Sequence, residues 1–112
     1  MQRLKKIVEA TGCKIVLSSS WRATPERKAT VNRHLQSYGI AAVMDSTRLR
    51  GNEYLRHEDI LHWVKQNPRI GERWVAIDDL PMPQLSDHYV GTEPDQGLTE
   101  ANVRHAIRVL NA

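Results

Sequence analysis

Residues 14–22 read "KIVLSSSWR": an apolar run, Ile15-Val16-Leu17, that stops on three serines, a tryptophan and an arginine. A continuous apolar run of this length predicts a strand covered on both faces, as in a parallel sheet. The polar tail after it has two readings. Ser18, Ser19 and Ser20 can cap the helix that follows, or they can line a pocket for an oxyanion, with Arg22 adding bidentate contacts to phosphate oxygens. Arg22 can equally pair with Glu26.

The flanking segments place this strand. Leu4, Ile7, Val8 and Thr11 recur at helical spacing, and Gly12 follows where a left-handed C-terminal residue is wanted, so a helix is predicted over 2–11. Thr24-Pro25-Glu26 is a helix start: a capping hydroxyl, Pro in the first turn and an early acid. Val31, Leu35 and Tyr38 form its predicted inward stripe, and Gly39 ends it. Ala41 to Met44 predicts a second short strand, and residues 45–55, "DSTRLRGNEYL", a loop. Ile60, Leu61 and Val64 mark a third helix stopped by Asn67-Pro68. "WVAIDD" (74–79) predicts a strand that runs into two carboxylates, "HYVGT" (88–92) a fourth strand. Thr99 caps a last helix with Val103, Ala106, Ile107 and Leu110 inward.

Helices alternating with buried strands predict an α/β chain: a three-layer, Rossmann-like parallel sheet with helices on both faces. At 112 residues, a single domain over 1–112 is expected. Right-handed crossovers bring the strand ends carrying Ser18 and Asp78 to one edge, where open α/β sheets bind ligands. Asp78 and Asp79 suit Mg²⁺, which takes one or two carboxylates and keeps room for water and substrate. The same pair read alone is a solvated turn.

Composition narrows the class. Forty per cent apolar and 26% charged residues are ordinary for a globular domain, although Phe is absent. No apolar run approaches the ~18 residues of a membrane span, and the basic amphipathic N-terminus lacks a signal-peptide core, so no membrane partner and a cytoplasmic location are expected. Cys13 is the lone cysteine, which excludes a disulfide framework or a cysteine zinc site within the chain. A net charge of +3, spread along the chain, permits an anionic partner without requiring one.

In order along nearly the whole chain, "KIVLSSSWR", "RHEDILHWV", "RWVAIDDLP" and "GLT" resemble a haloacid dehalogenase-like (HAD) superfamily domain, most of all the small HAD domains associated with RNA-repair proteins. The resemblance implies a Mg²⁺-dependent phosphohydrolase acting on a phosphomonoester, either a phosphorylated small molecule such as a nucleotide or a nucleic-acid end. It assigns the phosphoryl-holding hydroxyl to Ser18, with a backbone N–H from Ser19. Arg56 takes the place of the usual lysine at a helix start, a departure from the family. The metal carboxylates fall on Asp78 and Asp79. Thr99 of "GLT" is expected to cap a helix and not to touch substrate.

One family feature is missing. HAD enzymes attack with an aspartate of an Asp-x-Asp motif on a strand that opens the domain, before the helix equivalent to residues 2–11. No Asp-x-Asp occurs in the sequence, and Asp45, Asp59, Asp87 and Asp95 fall where the family does not place the nucleophile. The absent strand is central in the family, between the "KIVLS" and "WVAID" strands, so the chain reads as N-terminally truncated. Unless those strands close up, orphaned buried amides would cost ~1–3 kcal/mol each. A strand-donating or homo-oligomeric partner could satisfy them. Weak or absent Mg²⁺ binding and no efficient turnover are therefore expected. The alternative is a non-catalytic phosphate-, nucleotide- or nucleic-acid-binding module with a HAD fold.

Overall fold

The computed structural model describes residues 2–18, 24–47, 55–93 and 96–111. Its backbone divides into two compact units: Met1–Cys13 with Arg69–Ala112, and Lys14–Pro68. The chain is α/β, and its strands form two two-stranded parallel sheets.

The first unit opens with α1, Gln2–Thr11. It ends as its sequence predicts: Gly12 takes φ +68°, a conformation open to glycine at little cost, and its N–H reaches the Val8 carbonyl at 2.7 Å. The chain re-enters this unit at Arg69. It then forms β3 (Ala76–Asp78), β4 (Tyr89–Gly91) and α4 (Glu100–Leu110), the numbers β1 and β2 belonging to the second unit. Ile77 pairs with Val90, so both point to the same face. Against that face pack Ile7 of α1 and Val103, Ala106 and Leu110 of α4, all buried, with Cys13, Val75, Leu98 and Ile107 around them. The predicted inward stripe of α4 is the observed one.

Polar contacts fix the ends of these helices. Thr99 Oγ1 accepts from the Asn102 N–H at 3.2 Å, and Asn102 Oδ1 accepts from the Thr99 N–H at 3.0 Å, a reciprocal cap. Glu100, in the first turn of α4, receives Arg3 at 3.2 Å and Lys6 at 3.3 Å from α1. The Arg3 and Lys6 hydrogen bonds hold its carboxyl below the usual range. Upstream of β4, the His88 ring stacks on Trp74 at 4.0 Å and donates from Nδ1 to the Trp74 carbonyl at 2.7 Å.

The second unit holds β1 (Val16–Leu17), α2 (Pro25–Ser37), β2 (Asp45–Ser46) and α3 (Arg56–Gln66). Thr24 caps α2 by accepting from the Arg27 N–H at 3.2 Å, with Pro25 in the first turn. Among the described residues, Leu35, Ile40 and Ile60 are its buried apolar side chains. Two predicted inward residues are turned outward: Tyr38 lies past the last turn of α2, edge-on to His34, and Leu61 is exposed on α3.

The second strand is displaced from its apolar run. Ala41 and Ala42 are exposed, and the Val43 N–H donates to Asn32 Oδ1 of α2 at 2.9 Å. That side-chain acceptor takes the amide a strand would have used; the Met44 N–H reaches the Ile15 carbonyl at 2.7 Å, and β2 forms directly after the run. Val16 pairs with Asp45 and Leu17 with Ser46.

Trp63 of α3 ties that helix to β2: its Nε1–H donates to Asp45 Oδ2 at 2.9 Å. The Trp63 hydrogen bond, then that from the Ser46 N–H, lower the Asp45 pKa. A carboxyl with a depressed folded-state pKa contributes stability above its unfolded pKa, lost as pH falls through the folded value. Asp45→Asn should therefore flatten the decline in unfolding free energy from pH 5 to pH 3, read by urea denaturation, while leaving the pH 7 value within ~1 kcal/mol of the parent. An unchanged acid limb would show that the indole–carboxylate bond does not form in solution.

Candidate functional site

The acidic tip is built by β3, β4 and the turn after them. β3 ends on Asp78, and Asp79 follows directly. The Asp78 Oδ1 accepts the Leu80 N–H at 3.0 Å, which folds the chain back over the carboxylate as an Asx turn. The Asp78 carbonyl accepts the Thr92 N–H at 2.9 Å from the far side of β4. Asp78 is half-buried and Asp79 exposed.

Tyr89 completes this tip, and the sequence had marked it only as part of a strand. Its phenol O–H donates to the Leu80 carbonyl at 2.8 Å, with the Asp78 carbonyl at 3.2 Å. The ring reaches them by lying over Gly91: a Cβ there would stand 3.0 Å from the Tyr89 hydroxyl oxygen and 3.1 Å from Cε2. Gly91 pairs with Asp78 across the sheet, so its missing side chain opens the path to the acidic turn. Burial, then the charges of Asp78 and Asp79, raise the Tyr89 pKa. Both carboxylates therefore bear on the space around that hydroxyl. Asn102 Nδ2 donates to the Gly91 carbonyl at 3.3 Å and joins the start of α4 to the same region.

Two adjacent carboxylates are hard oxygen donors of the kind Mg²⁺ prefers. Among the described residues no group of three or more His, Cys, Asp or Glu stands together as a metal cage. A cation here would take its remaining ligands from water, backbone carbonyls or substrate. Mg²⁺ tolerates such a shell, so the donor set suits it as a partial site.

The hydroxyl tip belongs to the second unit. Ser18 follows β1 directly and is half-buried. Ser19, Ser20 and Arg22 lie outside the described residues. Arg56, also half-buried, is the first residue of α3, so the expected placement of a basic group at a helix start holds. The helix start is only half of a capping box: Glu58 accepts the Leu55 N–H at 3.3 Å, but Leu55 has no side-chain acceptor to return. Ser18 and Arg56 thus share one unit, and Asp78 and Asp79 the other. Thr99 caps α4, the role expected of it.

A second residue escaped sequence reasoning. Thr47, just past β2, is 5% exposed, and its Oγ1 is buried without a hydrogen-bond partner. Its only sequence signal was a hydroxyl soon after an apolar run, the signal that had singled out Ser18.

No helix among the described residues is long and apolar enough to cross a membrane. None of the curated proteins and none of the solved structures matches the chain. The family described as "HAD domain in Swiss Army Knife RNA repair proteins" matches residues 1–103. With that match over most of its length, and strands ending on a hydroxyl and on paired aspartates, the chain belongs to this family of HAD domains.

Proposed function

We propose that the chain carries the phosphoryl- and Mg²⁺-binding residues of a HAD phosphohydrolase directed at phosphomonoesters, with a nucleic-acid end as the substrate class that its RNA-repair kinship favours. One observation carries this reading: Ser18 follows β1 and the Asp78-Asp79 pair ends β3, each at the C-terminal end of a strand in a parallel pair. Ligands in open α/β sheets bind beyond such ends.

In this reading the Ser18 hydroxyl donates to a phosphoryl oxygen, and the Arg56 guanidinium offsets phosphoryl charge through a forked contact. Asp78, with Asp79, would hold Mg²⁺, which when bound supplies positive charge to an anionic substrate. Tyr89 keeps the acidic turn in shape. A three-layer sheet lacking the family's first strand belongs to the same reading.

The attacking group is not among these residues. Charge stabilisation and orientation do not replace a nucleophile, and the sequence contains no Asp-x-Asp. If a longer product or a second, strand-donating chain supplies the aspartate, the residues named here would bind the phosphoryl group and the metal. The same absence favours a second reading, a non-catalytic module that keeps the anion pocket.

Hydrolysis of an aryl phosphate with Mg²⁺ tests this assignment. The 112-residue chain should show no turnover above an Asp78→Asn control. Turnover that disappears in Asp78→Asn would mean that the chain holds its own nucleophile, and would overturn the incomplete-enzyme reading.

A further inference from the structure

Thr47 is buried just past β2. Its Oγ1 is the one buried side-chain polar atom among the described residues without a hydrogen-bond partner. Such atoms are rare in folded proteins and destabilise them, because the group has left water without a replacement. Its surroundings suggest what it serves. The Thr47 N–H donates to the Leu17 carbonyl at 2.9 Å, which extends the β1–β2 ladder past the paired Leu17 and Ser46. That bond sets the Thr47 backbone beside the Leu17–Ser18 peptide, where the sheet ends.

We propose that Thr47 Oγ1–H is a second donor to the oxyanion that Ser18 receives, making the β1–β2 tip a two-hydroxyl site for a phosphoryl group. The proposal rests on the assignment of Ser18 to the phosphoryl group. A hydroxyl already out of water gains a charge-assisted bond to an anionic oxygen without first shedding hydration, which is the preorganised form of anion binding.

Calorimetric titration of the 112-residue chain with inorganic phosphate, alongside thermal unfolding, decides this. Thr47→Val keeps the shape and removes the hydroxyl. It should weaken phosphate binding about tenfold while raising the melting temperature by roughly 2–6 °C, because an orphaned polar atom is gone. Thr47→Ser should restore phosphate affinity to near the parent value. A hydroxyl serving only the interior, through a buried water for example, would behave in the opposite way: Thr47→Val would lower the melting temperature and leave phosphate binding intact, and the proposal would fall. Phosphate weakened by Ser18→Ala but not by Thr47→Val removes Thr47 and leaves the Ser18 assignment standing. Weakening by Thr47→Val alone does the reverse, keeping Thr47 as an anion ligand and removing Ser18. A parent chain that binds no phosphate overturns the two-hydroxyl site outright.

Discussion

Asp78→Asn should weaken Mg²⁺ binding to the chain by tenfold or more. A unit negative charge about 4 Å from a divalent cation contributes roughly 2–8 kcal/mol of gross attraction, for effective dielectric constants between about 80 and 20. Dehydration of the ion offsets much of this, and about 1.4 kcal/mol of what is left suffices for a factor of ten. Asparagine is the informative replacement because its amide oxygen can still accept the Leu80 N–H that Asp78 Oδ1 accepts at 3.0 Å. The turn keeps this acceptor and the charge is removed.

The same variant has a readout that needs no metal. The Asp78 charge is one of the causes, after burial, that raise the Tyr89 pKa. Removing it should let the phenol titrate lower, though still above its ordinary value, because burial remains. Phenolate absorbance, with Tyr89→Phe as the reference for Tyr38 and Tyr54, measures the change. An unchanged phenol titration would show that Asp78 does not bear on Tyr89. An unchanged Mg²⁺ affinity would remove Asp78 from the metal assignment.

Ile7→Ala should be the most damaging single truncation in the first unit, at about 2–5 kcal/mol. Ile7 is 1% exposed and packs with Val90, Val103, Ala106 and Leu110, so its loss leaves a cavity shared by two helices and a strand. Against a typical total of about 5–15 kcal/mol, this should lower the melting temperature by roughly 10–25 °C. Leu80→Ala is the matched control, since Leu80 is 42% exposed and ordinary surface changes stay within ~0.5 kcal/mol. Equal losses from the two variants would mean that α1 does not dock on the β3–β4 sheet.

Most elements of this chain were legible because their signals are local. α1 ends at Gly12 for a backbone reason that travels with the residue, a φ of +68°. The starts of α2 and α4 are set by Thr24 and Thr99, whose hydroxyls accept N–H groups three residues away. The apolar runs marked β1 and β3, and the polar residues at their ends marked Ser18, Asp78 and Asp79 as candidates. Ser19, Ser20 and Arg22, candidates on the same grounds, lie outside the described residues.

The signals that were missed depend on partners distant in sequence. The 41–44 run is apolar, yet Asn32, eleven positions before Val43, takes the amide that a strand there would have used. Tyr89 reads as an ordinary strand residue until Gly91 and the Leu80 carbonyl are seen beneath its ring.

By itself, then, the sequence determined helix ends, strand-forming runs and the chemistry placed at their tips, since each depends on a few neighbouring residues. Only the tertiary structure decided which backbone amides remained for β2, that Tyr89 would brace the acidic turn, and that Thr47 would bury its hydroxyl past the end of β2. Those outcomes depend on which groups compete for the same hydrogen bond and the same space once the chain has folded.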